Sequence, residues 1–162
     1  MEIDIRPLSS SEDNNTYNRV AYLFSEMYKY MDSIGLNNKL TNNGEFLWIN
    51  TIKKSLGKLN MVVIATHEDT IVGFAAGNIR LLPNYLGNKK VGYISHVFVT
   101  DNYKKKKIGI RLLAELENYF AEKTVKTIEL EVLIENKSAC KFWEKMGYIS
   151  DNLRMKKVNE KI

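Results

Sequence analysis

A run of four lysines at the start of an apolar helix is the part of this sequence most able to do chemistry. Lys104, Lys105, Lys106 and Lys107 come directly before Ile108-Gly109-Ile110, and apolar residues follow at helical spacing. The first turn of a helix leaves backbone N–H groups without partners, and the helix dipole adds positive charge there. The pattern therefore predicts an anion site, and a phosphate group is the ligand that suits it.

Charge and cysteine content narrow the classes of protein. A lysine run alone is more often a solvated loop than a binding site, but the net charge of +5 and the pI near 9.1 also favour anionic partners. The single cysteine, Cys140, excludes an internal disulfide, and with only two histidines a four-ligand Cys/His zinc site cannot be filled. From these counts we expect no metal. No signal-peptide or membrane-span pattern is present, so we expect a cytoplasmic protein.

The elements that must position the lysine run can be read along the chain. Length predicts a single domain over residues 1–162, and periodicity predicts the order β-α-α-β-β-β-α-β-α-β-β. Ser9–Glu12 fits a capping box for a first helix from about Glu12 to Asp32. Asn136 and Gly147 fit the start and the stop of a short helix, and the tail from Tyr148 to Val158 is strand-like.

The segment around the lysines resembles the cofactor-binding motif of the GNAT superfamily of acyl-CoA-dependent N-acetyltransferases. That motif follows a strand ending Val-x-Val and consists of Gln or Arg, two residues, Gly, one residue, and Gly or Ala. Here Val97-Phe98-Val99 is followed by Lys104, Lys107 and Gly109. Gly109 matches, whereas Lys104 replaces the Gln or Arg and Lys107 replaces the first Gly.

A second stretch is similar to the same family further along the chain. The family pattern N-x-x-A-x-x-F-Y-x-x-x-G-F corresponds here to Asn136, Ala139, Phe142-Trp143 and Gly147-Tyr148. The resemblance covers nearly the whole chain. It implies an α/β (α+β) fold with a mixed, mostly antiparallel central sheet of 6–7 strands, flanked by about four helices.

The resemblance also implies roles in binding acetyl-CoA, which would be the co-substrate. Backbone groups of Val97 and Val99 would pair with the pantetheine arm like an added strand. Amides from Lys105 to Ile110 would hold the pyrophosphate. Asn136 would lie beside the pantetheine or order the turn into its helix, and Trp143 would take the position of the family tyrosine near the CoA sulfur.

Two residues are candidates for the general base of amine acylation. The family often places an acid/base residue on the fourth strand, where this chain has His96, and imidazole titrates in the working pH range. Glu131, on the fifth strand, is the second candidate. A core histidine and a half-exposed glutamate remain the plain structural alternatives for these two residues.

The general acid is where this sequence departs most from the family. Trp143 occupies the tyrosine position, and an indole N–H does not give up a proton near neutral pH. The thiolate must therefore take its proton from water or another residue, or activity is weak. We expect Tyr148 to pack, and Cys140 to be a small core residue rather than an acylated nucleophile.

The leading hypothesis is transfer of an acetyl group to a primary amine by direct attack in a ternary complex. A non-catalytic acyl-CoA-binding module of the same fold is the alternative. Nucleic-acid and membrane partners are not expected, because the chain lacks a basic stripe with exposed aromatics and an apolar span, whereas a homodimer stays open. Acidic and aromatic side chains that would suit a cationic acceptor are Glu26, Tyr30, Asp32, Glu45, Trp48 and Tyr85.

Overall fold

The computed structural model describes residues 2–36 and 38–158 and contains four helices and five strands within those ranges. The strands are β1 (Asp4–Pro7), β2 (Asn60–His67), β3 (Thr70–Leu81), β4 (Lys90–Val99) and β5 (Thr127–Leu130), and the helices are α1 (Asn14–Ser33), α2 (Gly44–Lys53), α3 (Ile108–Glu122) and α4 (Lys137–Lys145). The chain divides into two compact units, Met1–Glu131 and Val132–Ile162. The single domain over residues 1–162 stays a prediction.

The first unit is built on one open sheet with the strand order β1-β2-β3-β4-β5. The first four strands pair antiparallel, and β5 runs parallel to β4. This is the mixed, mostly antiparallel sheet that the resemblance implied. A short 3-10 turn, Asn84–Leu86, lies between β3 and β4, and a second one, Asp101–Tyr103, follows β4.

Helix α1, which lies where the sequence predicted the first helix, covers one face of the sheet with an apolar stripe. Its buried side chains pack with those of β2 and β3 in a single core cluster. Its start differs from the predicted capping box, because the side chain of Asp13 accepts the backbone N–H of Thr16 at 2.7 Å. The Glu12 carboxylate instead pairs with Arg6, so the capping-box prediction was wrong.

Helix α3 covers the opposite face and lies very close to the sheet. A Cβ atom added to Gly77 or Gly92 would come within 2.9 Å of the Phe120 ring, so these two positions have room only for glycine. Phe74 and Ala76, which alternate with Gly77 along β3, belong to the core beneath α1. Because side chains alternate between faces, β3 is apolar on both sides.

The second unit contains α4 and the tail that follows it. The prediction of strands in this tail, and hence of 6–7 strands in total, was wrong for the described residues: residues 149–158 form no strand. The apolar side chains that gave the alternation, Ile149, Leu153 and Met155, are each more than 70% exposed. Alternation makes a strand only where another strand supplies hydrogen bonds, and sequence alone does not show that partner.

Candidate functional site

Strands β4 and β5 pair over only part of their lengths. Val91–Ile94 of β4 lies opposite Thr127–Leu130, and within the described chain no strand pairs with residues 95–99 on the side away from β3. Half of β4 therefore has a free hydrogen-bonding edge inside an otherwise continuous sheet. Such an edge accepts an added extended chain.

The backbone of Val97 and Val99 is directed at this free edge. The amide of Thr100, next along the chain, donates to the carbonyl of Val72 on β3 at 2.9 Å. Successive residues of an extended chain direct their N–H and C=O groups to opposite sides. The polar groups of Val99, and of Val97 two residues earlier, therefore point away from β3.

The lysine run forms a loop, Lys104–Lys107, that leads into the amino end of α3. Lys105 and Lys107 both have left-handed backbones, with φ of 62° and 61°. The first helical hydrogen bond runs from the amide of Arg111 to the carbonyl of Lys107. The amides of residues 108–110 therefore precede the helical ladder, and Gly109 lies among them. Left-handed residues beside free amides form concave anion sites.

Two of the lysine side chains already have partners. The Lys104 ammonium pairs with the Asp101 carboxylate at 2.5 Å and lies 5.3 Å from the centre of the Tyr30 ring. The Lys106 ammonium lies 5.0 Å from the centre of the Tyr103 ring. All four lysines are exposed, so their charges act on an incoming anion through a screened field.

The imidazole of His96 is surrounded by aromatic rings from α1 and α2. Phe24 and Trp48 stack on each other at 4.1 Å between centroids, and both meet the imidazole edge-on, at 5.0 and 5.7 Å. Tyr28 lies 6.2 Å away. Nothing in the local sequence pattern indicated that rings from two helices surround His96.

Burial lowers the pKa of His96 to about 4. An imidazole that is poorly solvated favours its neutral form, because the charged form loses hydration. At neutral pH the ring is therefore uncharged, with one nitrogen free to accept a proton. The same cause, burial, raises the pKa of the Tyr28 hydroxyl.

Glu131 lies just beyond the end of β5. Leu130, the last residue of β5, is opposite Ile94, so Glu131 follows the point at which β4 and β5 separate. Its side chain is exposed. Strand β5 ends at Leu130, so the prediction that Glu131 lies on the fifth strand was wrong.

In the second unit, the predicted cap and stop of α4 are both present. The Asn136 side chain accepts the backbone N–H of Ala139 at 3.2 Å, and Gly147 ends the helix with a left-handed φ of 88°. The Trp143 ring meets those of Phe142 and Tyr148 edge-on, at 5.0 and 5.2 Å. Asn136 thus caps the helix, and its role beside pantetheine stays a prediction.

The acidic residues expected to suit a cationic acceptor are mostly paired. Glu26 binds Lys29 at 2.6 Å and Asp32 binds Lys39 at 3.1 Å. These ion pairs are largely exposed and contribute little to stability, so a ligand could exchange with the lysines. Tyr85 lies on the turn between β3 and β4 and is 80% exposed.

The sheet thus opens between its fourth and fifth strands, and a basic loop and the start of a helix follow the fourth. Residues 22–148 match the model of the Acetyltransferase (GNAT) family. The chain belongs to the GNAT acetyltransferase family. A comparison with curated proteins finds no match.

Solved structures share this fold at low sequence identity. The aminoglycoside acetyltransferase AAC(6')-Iy, in complex with the bisubstrate analog CoA-S-monomethyl-acetylneamine, superposes with a TM-score of 0.75 at 14% identity, over 98% of this chain and 99% of that one. Aminoglycoside acetyltransferase meta-AAC0020, from an uncultured soil metagenomic sample, gives 0.73 at 18%, over 98% and 97%. Glucosamine-6-phosphate N-acetyltransferase from Arabidopsis thaliana gives 0.67 at 20%, over 98% and 99%.

No helix in the described parts of the chain has the length and the apolar character needed to cross a membrane.

Proposed function

We propose that this protein transfers an acetyl group from acetyl-CoA to a primary amine, by direct attack of the amine in a ternary complex. The observation that carries the proposal is the free edge of β4, with Val97 and Val99 directed at it, followed by the basic loop and the start of α3. One extended ligand with an anionic end can use both features. Acetyl-CoA, with its pantetheine arm and its pyrophosphate, is such a ligand.

Each part of the edge and loop would hold a different part of the co-substrate. The Val97 and Val99 backbone would pair with the two amides of pantetheine, which fixes the thioester along β4. The amides of residues 105–110 would hold the pyrophosphate, and the lysines would raise the local concentration of the anion. Lys107 has a left-handed backbone, which is the conformation that favours glycine and agrees with the glycine of the family pattern at this position.

The transfer itself needs a neutral amine and a protonated leaving group. The amine nitrogen attacks the thioester carbonyl carbon and the C–S bond breaks. The amine must then lose one proton to a base, and the CoA thiolate must gain one from an acid. The neutral imidazole of His96 would accept that proton, directly or through water, with Glu131 as the second candidate. Trp143 cannot protonate the thiolate, so the proton would reach the sulfur from water.

We propose a small primary amine as the acceptor. The structural neighbours named above act on aminoglycosides or on glucosamine 6-phosphate, and amines of both kinds are the first to test. Since the chain has a single cysteine, Cys140, we place the reaction in a reducing compartment such as the cytoplasm.

The decisive experiment measures acetyl-CoA turnover with a panel of amines and compares the parent protein with a variant of the proposed pyrophosphate site. Thiol release is followed with each amine, and the product is identified by mass spectrometry. Gly109→Glu places bulk and negative charge among the first amides of α3 and should abolish acetyl-CoA binding. Ala114→Glu adds the same side chain at an exposed position of the same helix and should leave binding unchanged.

Calorimetry gives the acetyl-CoA affinity of both variants, and circular dichroism shows whether each is folded. A folded Gly109→Glu protein that binds acetyl-CoA with the parent affinity would remove the assignment of this loop. The alternative function, a non-catalytic acyl-CoA-binding module, is favoured by one observation, the tryptophan at position 143. It predicts acetyl-CoA binding that Gly109→Glu abolishes, without thiol release above the background rate for any amine.

A further inference from the structure

The side chains of Ser95 and His96 lie on the same side of β4, which neighbouring strand residues ordinarily do not. Ala76 of β3 is opposite His96, whereas Gly77 is opposite Ile94. Ser95 therefore has no partner in the β3 register and is the extra residue of a β-bulge. This bulge interrupts the alternation of side chains along the strand.

The bulge decides which face of the sheet carries His96. Ile94 shares the α3 face with its partner Gly77, whose Cβ position is directed at Phe120. Regular alternation from Ile94 would return His96 to that same α3 face. With one extra residue, His96 instead lies on the α1 face, where its ring contacts Phe24.

The Ser95 hydroxyl connects the imidazole to the backbone of β3. Its oxygen lies 3.1 Å from the carbonyl oxygen of Ala76 and 2.9 Å from Nδ1 of His96. A carbonyl oxygen can only accept, so the single hydroxyl hydrogen of Ser95 is donated to Ala76. The remaining contact then requires Nδ1 of His96 to carry a hydrogen and to donate it to the Ser95 oxygen.

We propose that Ser95 is a positioning residue that holds His96 in the Nδ1–H tautomer and leaves Nε2 as the nitrogen that accepts a proton. Only the catalytic role of this tautomer rests on the proposed function, since the tautomer itself is a property of the free protein. A histidine's tautomer is set by the partner of its other nitrogen. With Nδ1 occupied, the lone pair of Nε2 is the one available to the attacking amine or to a bridging water.

The test reads the tautomer directly. Long-range 1H–15N correlation spectra of uniformly 15N-labelled protein near neutral pH separate a protonated ring nitrogen from an unprotonated one. The chain has only two histidines, so a His67→Gln spectrum assigns the signals of His96. We expect a protonated Nδ1 and an unprotonated Nε2. A protonated Nε2 in the parent protein would overturn the proposal without any variant at position 95.

Two substitutions at position 95 test whether the hydroxyl is the cause. Ser95→Ala removes the acceptor, and we expect the His96 signals to move toward the Nε2–H form. Ser95→Thr keeps a hydroxyl and should retain the parent tautomer. A folded Ser95→Ala protein with an unchanged His96 tautomer would contradict the assignment of Ser95.

The kinetic readout is separate from the spectroscopic one. With an amine that the parent enzyme acetylates, Ser95→Ala should lower kcat by about tenfold to 10²-fold, part of the usual contribution of proton transfer. Ser95→Thr should restore it, and the KM for acetyl-CoA should stay near the parent value. An unchanged kcat would exclude Ser95 as a positioning residue. If the parent acetylates no amine, the proposed function fails while the spectra still decide the tautomer.

Discussion

The Nδ1 atom of His67 lies 3.0 Å from the hydroxyl oxygen of Tyr103, which is 36 residues away in the chain. His67 is the last residue of β2, and Tyr103 ends the short turn that precedes the lysine loop. The Tyr103 ring also lies under the Lys106 ammonium. This hydrogen bond therefore connects the proposed pyrophosphate loop to the β2–β3 hairpin.

Loss of this connection should weaken acetyl-CoA binding more than it affects the chemical step. We expect His67→Phe to raise the KM for acetyl-CoA several-fold with little change in kcat, and to lower the free energy of unfolding by about 0.5–1.5 kcal/mol. Tyr103→Phe should do the same. Combined, the two substitutions should cost little more than either alone in a double-mutant cycle. Fully additive effects would show that the hydrogen bond is not shared.

Lys107 should be a site at which glycine increases stability. Its left-handed backbone, with φ of 61°, is strained for any residue that carries a Cβ atom, and glycine does not have that strain. We expect Lys107→Gly to be more stable than Lys107→Ala by about 1 kcal/mol in urea unfolding. Both variants lack the charge, so their comparison isolates the backbone. Equal stabilities would contradict the left-handed conformation at Lys107.

The buried imidazole of His96 makes stability depend on pH. Its pKa of about 4 in the folded state lies below the unfolded value near 6.5, so the unfolded chain binds more protons in between. The free energy of unfolding is therefore highest above the unfolded pKa and decreases as the pH falls below it. We expect the free energy of unfolding to fall by about 2 kcal/mol between about pH 7.5 and about pH 5.

His96→Gln should remove this pH dependence, whereas His67→Gln should retain it. Glu12 and Asp13, whose pKa values are lowered by hydrogen bonds to Arg6 and Thr16, titrate at lower pH and do not disturb the measurement between about pH 7.5 and about pH 5.

In the active enzyme, His96→Ala should lower kcat by about 10²–10⁴-fold. The acid limb of the pH–rate profile that His96 causes should lie near pH 4. An acid limb near the ordinary imidazole pKa that persists in His96→Ala would return His96 to a structural role.

Trp143→Tyr should test the missing general acid. A phenol can donate a proton to a thiolate, whereas an indole cannot. We expect kcat equal to or above that of the parent, with little change in acetyl-CoA affinity. The smaller ring should lower stability by about 1–3 kcal/mol, since Trp143 contacts Phe142 and Tyr148. A large fall in kcat with stability retained would mean that Trp143 has a role of its own.

The sequence by itself determined the features that depend on neighbouring residues. Helices α1 and α3, the Asn136 cap and the Gly147 stop are all present where the sequence pattern predicted them. Each depends on side chains and amides within a few residues of one another, which is the range over which helix signals act. The lysine loop and the start of α3 at Ile108 belong to this group.

Only the tertiary structure decided the features that depend on a partner far along the chain. The bulge at Ser95 exists because the register between β3 and β4 shifts by one residue. This shift places His96 among the rings of α1 and α2. The free edge of β4 likewise depends on where β5 stops pairing. Residues 149–158 carry a strand pattern and form no strand, because strand formation depends on distant hydrogen-bond partners that a local pattern does not specify.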